Sequence, residues 1–376
     1  MSHAVGLIEH RLGLPPGPPV LAVGAWLDNT VCTAYGREAL LSRPVGDLDR
    51  VEACLAHERT ARALLARMAE TGATAPAAIA HDLHPDFHST RHAAALAAEF
   101  GVSLLPVQHH HAHVAAVCAE HGHAGPVIGL ALDGVGLGDD GGAWGGELLR
   151  VGHGSCARLG SLLPLPLPGG DRAAREPWRM AAAVLHALGR ADEIEARFAA
   201  QPAAAGVARL LDHGLRCPPS SSLGRVFDAA AALLGLCELM RFDAEAPIAL
   251  ERAAARHGPG AVLEGGWRIG AGLGLDLLPL LDSLADERDV GRGAARFHAT
   301  LAAALADWAE TAARRHGLAT VAAGGGCLFN RLLAADLQQR LERAGLRLLL
   351  AQRLPPGDGA IALGQAVVAR QRLGGG

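Results

Sequence analysis

Histidines occupy four of the five positions from His109 to His113, and their spacing suits metal binding. His109 and His113 are four residues apart, which on a helix places both side chains on one face with Cβ atoms about 5–6 Å apart. A helix is predicted here because the following residues are mostly apolar and no helix breaker occurs before Gly122. Two imidazoles in this arrangement can hold one divalent ion, whereas the simpler alternative is a polar helix start packed against a loop.

Two aspartates stand where they could complete a ligand set. Asp133 follows a predicted buried strand at 127–132, and Asp358 lies in a Gly-Asp-Gly turn at a predicted helix start. The end of a buried strand is where open α/β sheets place ligand sites. With His109 and His113, the aspartates offer two nitrogens and two oxygens, which suits a divalent metal such as zinc or iron. Taken alone, each aspartate could instead be a helix cap or a turn residue.

Glycine-rich turns follow two of the predicted strands and suit phosphate. The glycines are Gly134, Gly136, Gly324, Gly325 and Gly326. The last three separate a predicted strand from a helix that begins at Asn330. A backbone without Cβ atoms can approach oxyanions, and N–H groups at a helix start attract negative charge. Tight packing turns are the alternative, and the neighbouring aspartates would repel phosphate unless a cation intervenes.

Two further polar segments are candidates for the lining of a cleft. His84 lies in the segment 81–91, which follows a predicted strand and precedes a helix, and a capped loop is the alternative. Arg225 follows three serines and precedes an apolar helix. Capping explains one of these serines, but it does not explain Arg225.

Composition excludes several classes of protein. The formal net charge is −4, so nothing indicates a nucleic-acid surface. The chain has no lysine, which excludes a Walker A phosphate loop and Schiff-base chemistry. Its seven cysteines form no Cys-x-x-Cys pair, which argues against zinc fingers and favours reduced thiols in a cytoplasmic protein. No secretory signal and no continuously apolar stretch of about 20 residues is evident, so no membrane span is expected.

Predicted strands and helices alternate up to the histidine cluster, which indicates an α/β fold. After residue 160 the chain is predicted to be mostly helical, with strands at 319–323 and 346–351. The prolines within residues 15–19 predict an extended linker, so residues 1–19 are predicted to be an N-terminal extension.

Several of these segments, in this order, resemble the C-terminal part of HypF-type carbamoyltransferases. The matching segments are 81–90, 107–113, 132–134, 175–180, 224–228, 297–298 and 358–365. This part is similar to the TsaD-type threonylcarbamoyl transferases of the actin-like ATPase (ASKHA) superfamily. The resemblance covers roughly residues 20–370. The acylphosphatase-like, zinc-finger and YrdC-like domains that precede this part in full-length members have no counterpart in the sequence.

The resemblance implies a two-lobed α/β fold of the actin-like ATPase (ASKHA, TsaD-like) type, with the active site in the cleft between the lobes. The expected division is an N-terminal extension at 1–19, a first lobe at 20–160, a second, mainly helical lobe at 161–335 and a closing segment at 336–376. Part of the closing segment is expected to return to the first lobe.

The resemblance also implies roles for the candidate residues. The metal ligands would be His109, His113, Asp133 and Asp358, holding zinc or iron, and magnesium could accompany the nucleotide. The residues near ATP or carbamoyl-adenylate would be Gly134, Gly136, Gly324, Gly325, Gly326 and Asn330. The candidates for catalytic or substrate contacts are His84, His110, His111 and Arg225.

The implied reaction is transfer of a carbamoyl group from carbamoyl phosphate, through carbamoyl-adenylate, to the C-terminal cysteine of a HypE-type partner. In that family the product leads to the cyanide ligands of the iron in nickel–iron hydrogenase. A small-molecule O-carbamoyltransferase and a threonylcarbamoyl-type transferase of the same fold are the alternatives. A sugar or acetate kinase fits less well, because a histidine pair is not a feature of kinase active sites. A non-catalytic metal-binding scaffold is the simplest alternative.

Overall fold

The computed structural model describes residues 7–73 and 75–374, which form two lobes joined through a shared helix. Each lobe is built on its own sheet, with four strands in the first and seven in the second. The predicted α/β class with two lobes is therefore confirmed. Within the described residues, no helix is both long and apolar enough to cross a membrane.

The first lobe has helices on both faces of its sheet. Its elements are β1 (Ile8–Ala22), β2 (Cys32–Ser42), α1 (Val51–Glu70), β3 (Ala78–Asp82), α2 (His88–Phe100), β4 (Ser103–Val107) and α3 (His109–Glu120). The strand order is β2-β1-β3-β4, with β2 antiparallel to β1 and the other two strands parallel to it. Alternate residues of β1 face opposite sides, so Leu21 packs with α1 and α2, whereas Val20 packs with α3.

The second lobe has a larger sheet and most of the helices. Its strands are β5 (Val127–Leu137), β6 (Ala143–Gly152), β7 (Ser155–Ser161), β8 (Leu165–Pro166), β9 (Pro219–Ser220), β10 (Arg268–Ile269), β11 (Leu275–Asp276), β12 (Thr320–Gly324) and β13 (Arg347–Leu349). Its helices are α4 (Pro177–Ala187), α5 (Ile194–Arg197), α6 (Ala204–Asp212), α7 (Leu223–Leu233), α8 (Glu245–His257), α9 (Leu278–Ala285), α10 (Val290–His316) and α11 (Arg331–Arg343), and the last helix of the chain, α12 (Ile361–Gly374), packs on the first lobe. The sheet order is β13-β12-β5-β6-β9-β8, with β7 paired to β6, and β10 and β11 pair separately.

Helix α3 lies between the two sheets and is packed on both sides. Ala112 and Ala115 belong to the apolar cluster around β1 and α12, whereas Val114 and Val117 pack against β5 and its neighbours. A Cβ atom at Gly364 of α12 would overlap the backbone carbonyl of Ala112, so the two helices cross at a distance that requires glycine. The histidines at the start of α3 are thereby fixed between the lobes.

The predicted N-terminal extension at 1–19 is wrong for residues 8–19, which belong to β1. Residues 1–6 lie outside the described part of the chain. The prolines are tolerated because this part of β1 pairs only with β2, and pairing with β3 is confined to Val20–Ala22. The pairing with β2 also shifts register on both sides of Gly17, which accommodates residues without an N–H group.

The predicted lobe boundary at residue 160 is also wrong, because β5, β6 and β7 belong to the second sheet. β5 lies between β6, its neighbour along the chain, and β12, which is distant in sequence. A local hydrophobic pattern does not reveal such a distant partner. Within the predicted closing segment at 336–376, the end of α11 and β13 lie with the second lobe, and α12 packs on α3 and β1 of the first.

Candidate functional site

Helix α3 carries the histidine pair that the spacing predicts. The helix begins at His109, and the side chain of Gln108 caps it by accepting the N–H of His111 at 2.8 Å. The four histidines at 109–113 are all buried. The rings of His109 and His113 meet edge to face with centroids 4.9 Å apart, so the helix brings the pair together.

The two aspartates reach this pair from β5 and from the turn before α12. β5 does not end before Asp133, as its hydrophobic pattern predicts, but continues past it. Its pairing with β6 is interrupted between Leu132 and Gly136, and at this interruption the Asp133 carboxylate approaches α3. The N–H of Gly326 donates to Oδ1 of Asp133 at 2.9 Å and fixes the carboxylate. Asp358 begins a short 3-10 turn that continues into α12.

The four side chains converge on one point. Nε2 of His109 lies 3.3 Å from Oδ2 of Asp133 and 3.6 Å from Oδ1 of Asp358. Nε2 of His113 lies 3.5 Å from each of the same two oxygens. One donor atom of each residue is within 4.8 Å of the donor atoms of the other three.

This arrangement fits a divalent metal ion. Donor atoms that each lie about 2.0–2.2 Å from a tetrahedral ion are roughly 3.3–3.6 Å apart, which matches the closest separations here. Both Nε2 atoms are buried without a hydrogen-bond partner among the described residues. A buried polar atom without a partner is costly, so a ligand that uses its lone pair is expected. Two imidazoles and two carboxylates suit zinc or iron.

Asp82 is a further member of the site that the sequence does not single out. It ends β3, is buried, and accepts a hydrogen bond from Nδ1 of His109 at 2.8 Å. This bond fixes the tautomer of His109 so that the lone pair of Nε2 faces the other ligands. The only signal in the sequence is its place in the polar run 81–91 after a predicted strand.

Buried charge in the site is balanced between histidines and aspartates. Burial disfavours the charged form of His109, but Asp358 and Asp82 outweigh burial and hold the pKa of His109 well above its usual value. Burial also disfavours the charged form of Asp133, but the imidazoles of His109 and His113, 3.3 Å and 3.5 Å from its Oδ2, hold its pKa well below the usual range. The carboxylate of Asp133 is therefore ionised and suited to a cation.

His110 and His111 lie on different sides of α3. The ring of His110 meets that of His109 edge to face at 5.3 Å, and its Nε2 is buried without a partner. His110 therefore lies beside the ligands. Burial, with a contribution from Arg372 of α12, lowers the pKa of His111 to about 4. Both ring nitrogens of His111 lack hydrogen-bond partners, and its ring is not brought into the ligand cluster.

His84 and Arg225 differ in their contacts: His84 is bound to Asp82 and Phe87, whereas Arg225 keeps a buried nitrogen without a partner. The backbone N–H of His84 donates to Oδ1 of Asp82 at 3.0 Å, while its ring stacks on Phe87 at 4.3 Å. Nη1 of Arg225 lies 3.1 Å from Oδ2 of Asp228 without good hydrogen-bond geometry. Nε of Arg225 is buried and has no partner in the described chain.

Close packing explains several of the predicted cofactor glycines. A Cβ atom at Gly136 would lie 2.7 Å from the ring of His109, and one at Gly324 would lie 3.0 Å from the carbonyl oxygen of His113. Gly325 has φ of +109°, and a Cβ atom there would overlap the backbone of the adjacent β5. Gly134 differs, because a Cβ atom there would contact nothing within 4 Å.

Asn330 is the N-cap of α11, a role that agrees with its position at the start of a predicted helix. Its Oδ1 accepts the N–H of Leu333 at 2.9 Å and caps α11. Its Nδ2 lies 2.9 Å from Nε2 of His298, a buried residue of α10. The side chain is therefore occupied by protein partners.

Both halves of the chain match families of known proteins. Residues 15–120 match the family described as "HypF Kae1-like domain". Residues 129–365 match the family described as "Carbamoyltransferase, Kae1-like Domain, second subdomain". The gap between the two matches falls between α3 and β5, where the second sheet begins.

Two curated relatives from Cupriavidus necator illustrate the similarity. Carbamoyltransferase HypF2 is 54% identical over 382 residues, which cover 95% of this chain and 47% of the relative. Carbamoyltransferase HypF homolog is 50% identical, and the match covers 96% of this chain and 94% of the relative. The chain thus spans about half the length of the first relative and nearly the full length of the second.

Two solved structures share the fold. Full-length HypF in its phosphate- and nucleotide-bound form matches with a TM-score of 0.85 and 29% identity, over 96% of this chain and 48% of that one. HypF of T. kodakarensis matches with a TM-score of 0.84 and 31% identity, over 97% of this chain and 49% of that one.

Proposed function

Because the chain belongs to the HypF carbamoyltransferase family, of which it is the Kae1-like part, we propose that it transfers a carbamoyl group. The proposed donor is carbamoyl phosphate, activated with ATP as carbamoyl-adenylate. The proposed acceptor is the C-terminal cysteine of a HypE-type partner, and the product is a precursor of the cyanide ligands of hydrogenase iron. The observation that carries the proposal is the convergence of two histidines and two aspartates in a chain of this family.

In this proposal His109, His113, Asp133 and Asp358 hold the divalent ion, which is zinc or iron. When bound, the ion can polarise the carbamoyl carbonyl and offset negative charge on the phosphate. Asp82 orients His109 through its hydrogen bond, and so keeps the ligand geometry fixed.

Other residues of the site are assigned to the substrate. Arg225 has a buried Nε without a partner and can donate to a phosphate oxygen. His110 offers Nε2 to the substrate beside the ligands. The remaining candidates, His84 and His111, are assigned to positioning: the backbone N–H of His84 donates to Asp82, and His111 is buried in α3 outside the group of four.

The glycine-rich turns are assigned to the nucleotide. Gly134 has open space where a side chain would be, which leaves its backbone accessible to a ligand. Gly136, Gly324, Gly325 and Gly326 form the backbone around the ligands, and Asn330 fixes the turn that follows them. The solved full-length HypF that this chain resembles is in a nucleotide-bound form, which supports the use of a nucleotide. Magnesium could accompany the nucleotide.

The proposed transfer needs no nucleophile from this chain. The partner's thiolate attacks the carbamoyl carbon, a sulfur–carbon bond forms, and the bond to the adenylate oxygen breaks. AMP leaves with that electron pair, and the thiol proton passes to solvent. Burial, and then Asp133, raise the pKa of the Cys327 thiol well above its usual value, which argues against Cys327 as the nucleophile.

Mass spectrometry of the acceptor tests the proposal. The metal-loaded chain is incubated with carbamoyl phosphate, ATP and a HypE-type partner, and a parallel reaction receives carbamoyl-adenylate from a separate adenylating enzyme. A gain of one carbamoyl mass on the terminal cysteine in either reaction supports the proposal. No gain in both reactions, or carbamoyl found only on a small-molecule hydroxyl, would contradict it.

Two variants control this experiment. H109A/H113A removes both imidazole ligands and should abolish the transfer. H213A/H316A removes two exposed histidines far along the chain and should transfer at the wild-type rate.

The proposal includes a cytoplasmic location, which fractionation of cells that express the chain would test.

A further inference from the structure

A second group of histidines lies in the first lobe, on the face of the sheet opposite α3. His57 belongs to α1, and His88 and His92 lie one turn apart on α2. The ring of His57 meets those of His92 and His88 edge to face, with centroids 5.1 Å and 5.8 Å away. Neither the proposed transfer nor the cleft ligands involve these residues.

His57 and His92 have the geometry of two ligands to one ion. His57 is fully buried, and its Nε2 donates to the carbonyl oxygen of Val23 at 3.1 Å. That bond leaves the lone pair of Nδ1 facing Nδ1 of His92, which lies 3.3 Å away at hydrogen-bond distance. An ion between the two nitrogens would replace this hydrogen bond. If an ion lay about 2.05 Å from each nitrogen, the nitrogen–ion–nitrogen angle would be about 107°, which is close to the tetrahedral value. A ligating imidazole whose other nitrogen donates to a backbone carbonyl is the usual arrangement at metal sites.

Two further donors lie beside this pair. Nε2 of His88 is 3.2 Å from Oε1 of Glu58, the residue after His57 on α1. Their side chains are 25% and 44% exposed, so both can rotate toward an ion between His57 and His92. Within the described residues, the four cleft side chains are the only group of three or more whose donor atoms all lie within 4.8 Å of one another, so His88 and Glu58 would have to rotate to complete the second site around its ion.

We propose that His57, His88, His92 and Glu58 bind a divalent ion of the class that prefers imidazole, such as Zn²⁺ or Ni²⁺. The ion links α1 to α2 and acts as a structural clip. α2 begins six residues after Asp82, and Ser89 in its first turn donates to the carbonyl of Ala25 at 2.7 Å. The clip therefore fixes the segment that carries Asp82. This site is independent of the proposed carbamoyl transfer.

Metal stoichiometry tests the second site. The full chain is stripped with a chelator, saturated with Zn²⁺ and gel-filtered, and the retained metal is counted by mass spectrometry. Wild type should retain two equivalents, whereas H109A/H113A and H88A/H92A should each retain one. The variant with all four changes should retain none, and H213A/H316A should retain two. His88 and His92 are partly exposed, so these changes leave the core intact.

Two outcomes of the metal count would overturn the second site. One is a single equivalent or none in wild type, and the other is an undiminished count in H88A/H92A. A second readout is thermal unfolding of H109A/H113A, in which Zn²⁺ should raise the midpoint only while His88 and His92 are present. An unchanged midpoint in H109A/H113A also contradicts the proposal. H92Q, which keeps the bulk of the side chain, should lose the same equivalent and guards against a folding defect.

Discussion

His109 is the residue on which most contacts of the site converge. Its Nε2 faces Asp133 and Asp358, and its Nδ1 donates to Asp82. The sequence predicts its pairing with His113 because helical spacing is a local property. The sequence does not single out Asp82, because that contact depends on β3 and β4 ending at the same edge of the first sheet, where α3 begins.

Asp82→Asn tests how strongly the site depends on the orientation of His109. Removing the charge weakens the bond to Nδ1, so affinity for zinc should fall by about 10-fold to 100-fold. Competition with a chromophoric chelator measures that affinity. Asp86→Asn, an exposed residue four positions further along the chain, is the matched control and should bind as wild type does. Equal affinity in Asp82→Asn and wild type would show that Asp82 does not orient the ligand.

Asp228 should make stability depend on pH. Burial raises its pKa to about 6, against the opposing effect of Arg225. Since the folded pKa exceeds the unfolded value of about 3.9, the contribution to the free energy of unfolding is present below about pH 4 and lost as pH rises through 6. Two pKa units correspond to roughly 3 kcal/mol. Urea unfolding should show wild type losing stability relative to Asp228→Asn over this range, and a difference independent of pH would disprove the assignment.

At the scale of elements, the packing of α3 against α12 fixes the positions of His109, His113 and Asp358. Both helices are predicted from the sequence, since their apolar residues and flanking glycines are local signals. Their close crossing at Gly364 is not predicted, because a glycine within a helix carries no information about its partner. β5 shows the same limit, since its apolar run predicts the strand but not the interrupted pairing beside Asp133.

Gly364→Ala should disturb both the fold and the site. The added Cβ would overlap the carbonyl of Ala112 and force α12 away from α3, at a cost of about 1–3 kcal/mol or more. Because α12 follows Asp358 directly, zinc affinity should fall as well. Gly206→Ala in α6 has nothing within 4 Å and should be neutral or gain up to about 1 kcal/mol. Urea unfolding midpoints compare the two variants, and equal effects would refute the packing argument.

At the scale of the whole molecule, two sheets enclose one helix, and the ligands come from three distant parts of the chain. α3 supplies both histidines, β5 supplies Asp133, and the turn before α12 supplies Asp358. The residue types and local positions predict that these four side chains meet, and the structure brings them together, although Asp133 lies within β5 rather than beyond its end. The division into lobes is not predictable in the same way, because β5 joins β12 across a long stretch of intervening helices.

The most direct test of the central claim is carbamoyl transfer measured against metal occupancy of the cleft. Metal-free chain is reloaded with increasing zinc or iron, and a single round of transfer from carbamoyl-adenylate to the partner's terminal cysteine is quantified. We expect the carbamoylated fraction to rise with occupancy, and H109A/H113A to transfer nothing at any metal concentration. Equal transfer by the metal-free chain or by H109A/H113A would contradict the assignment of this site.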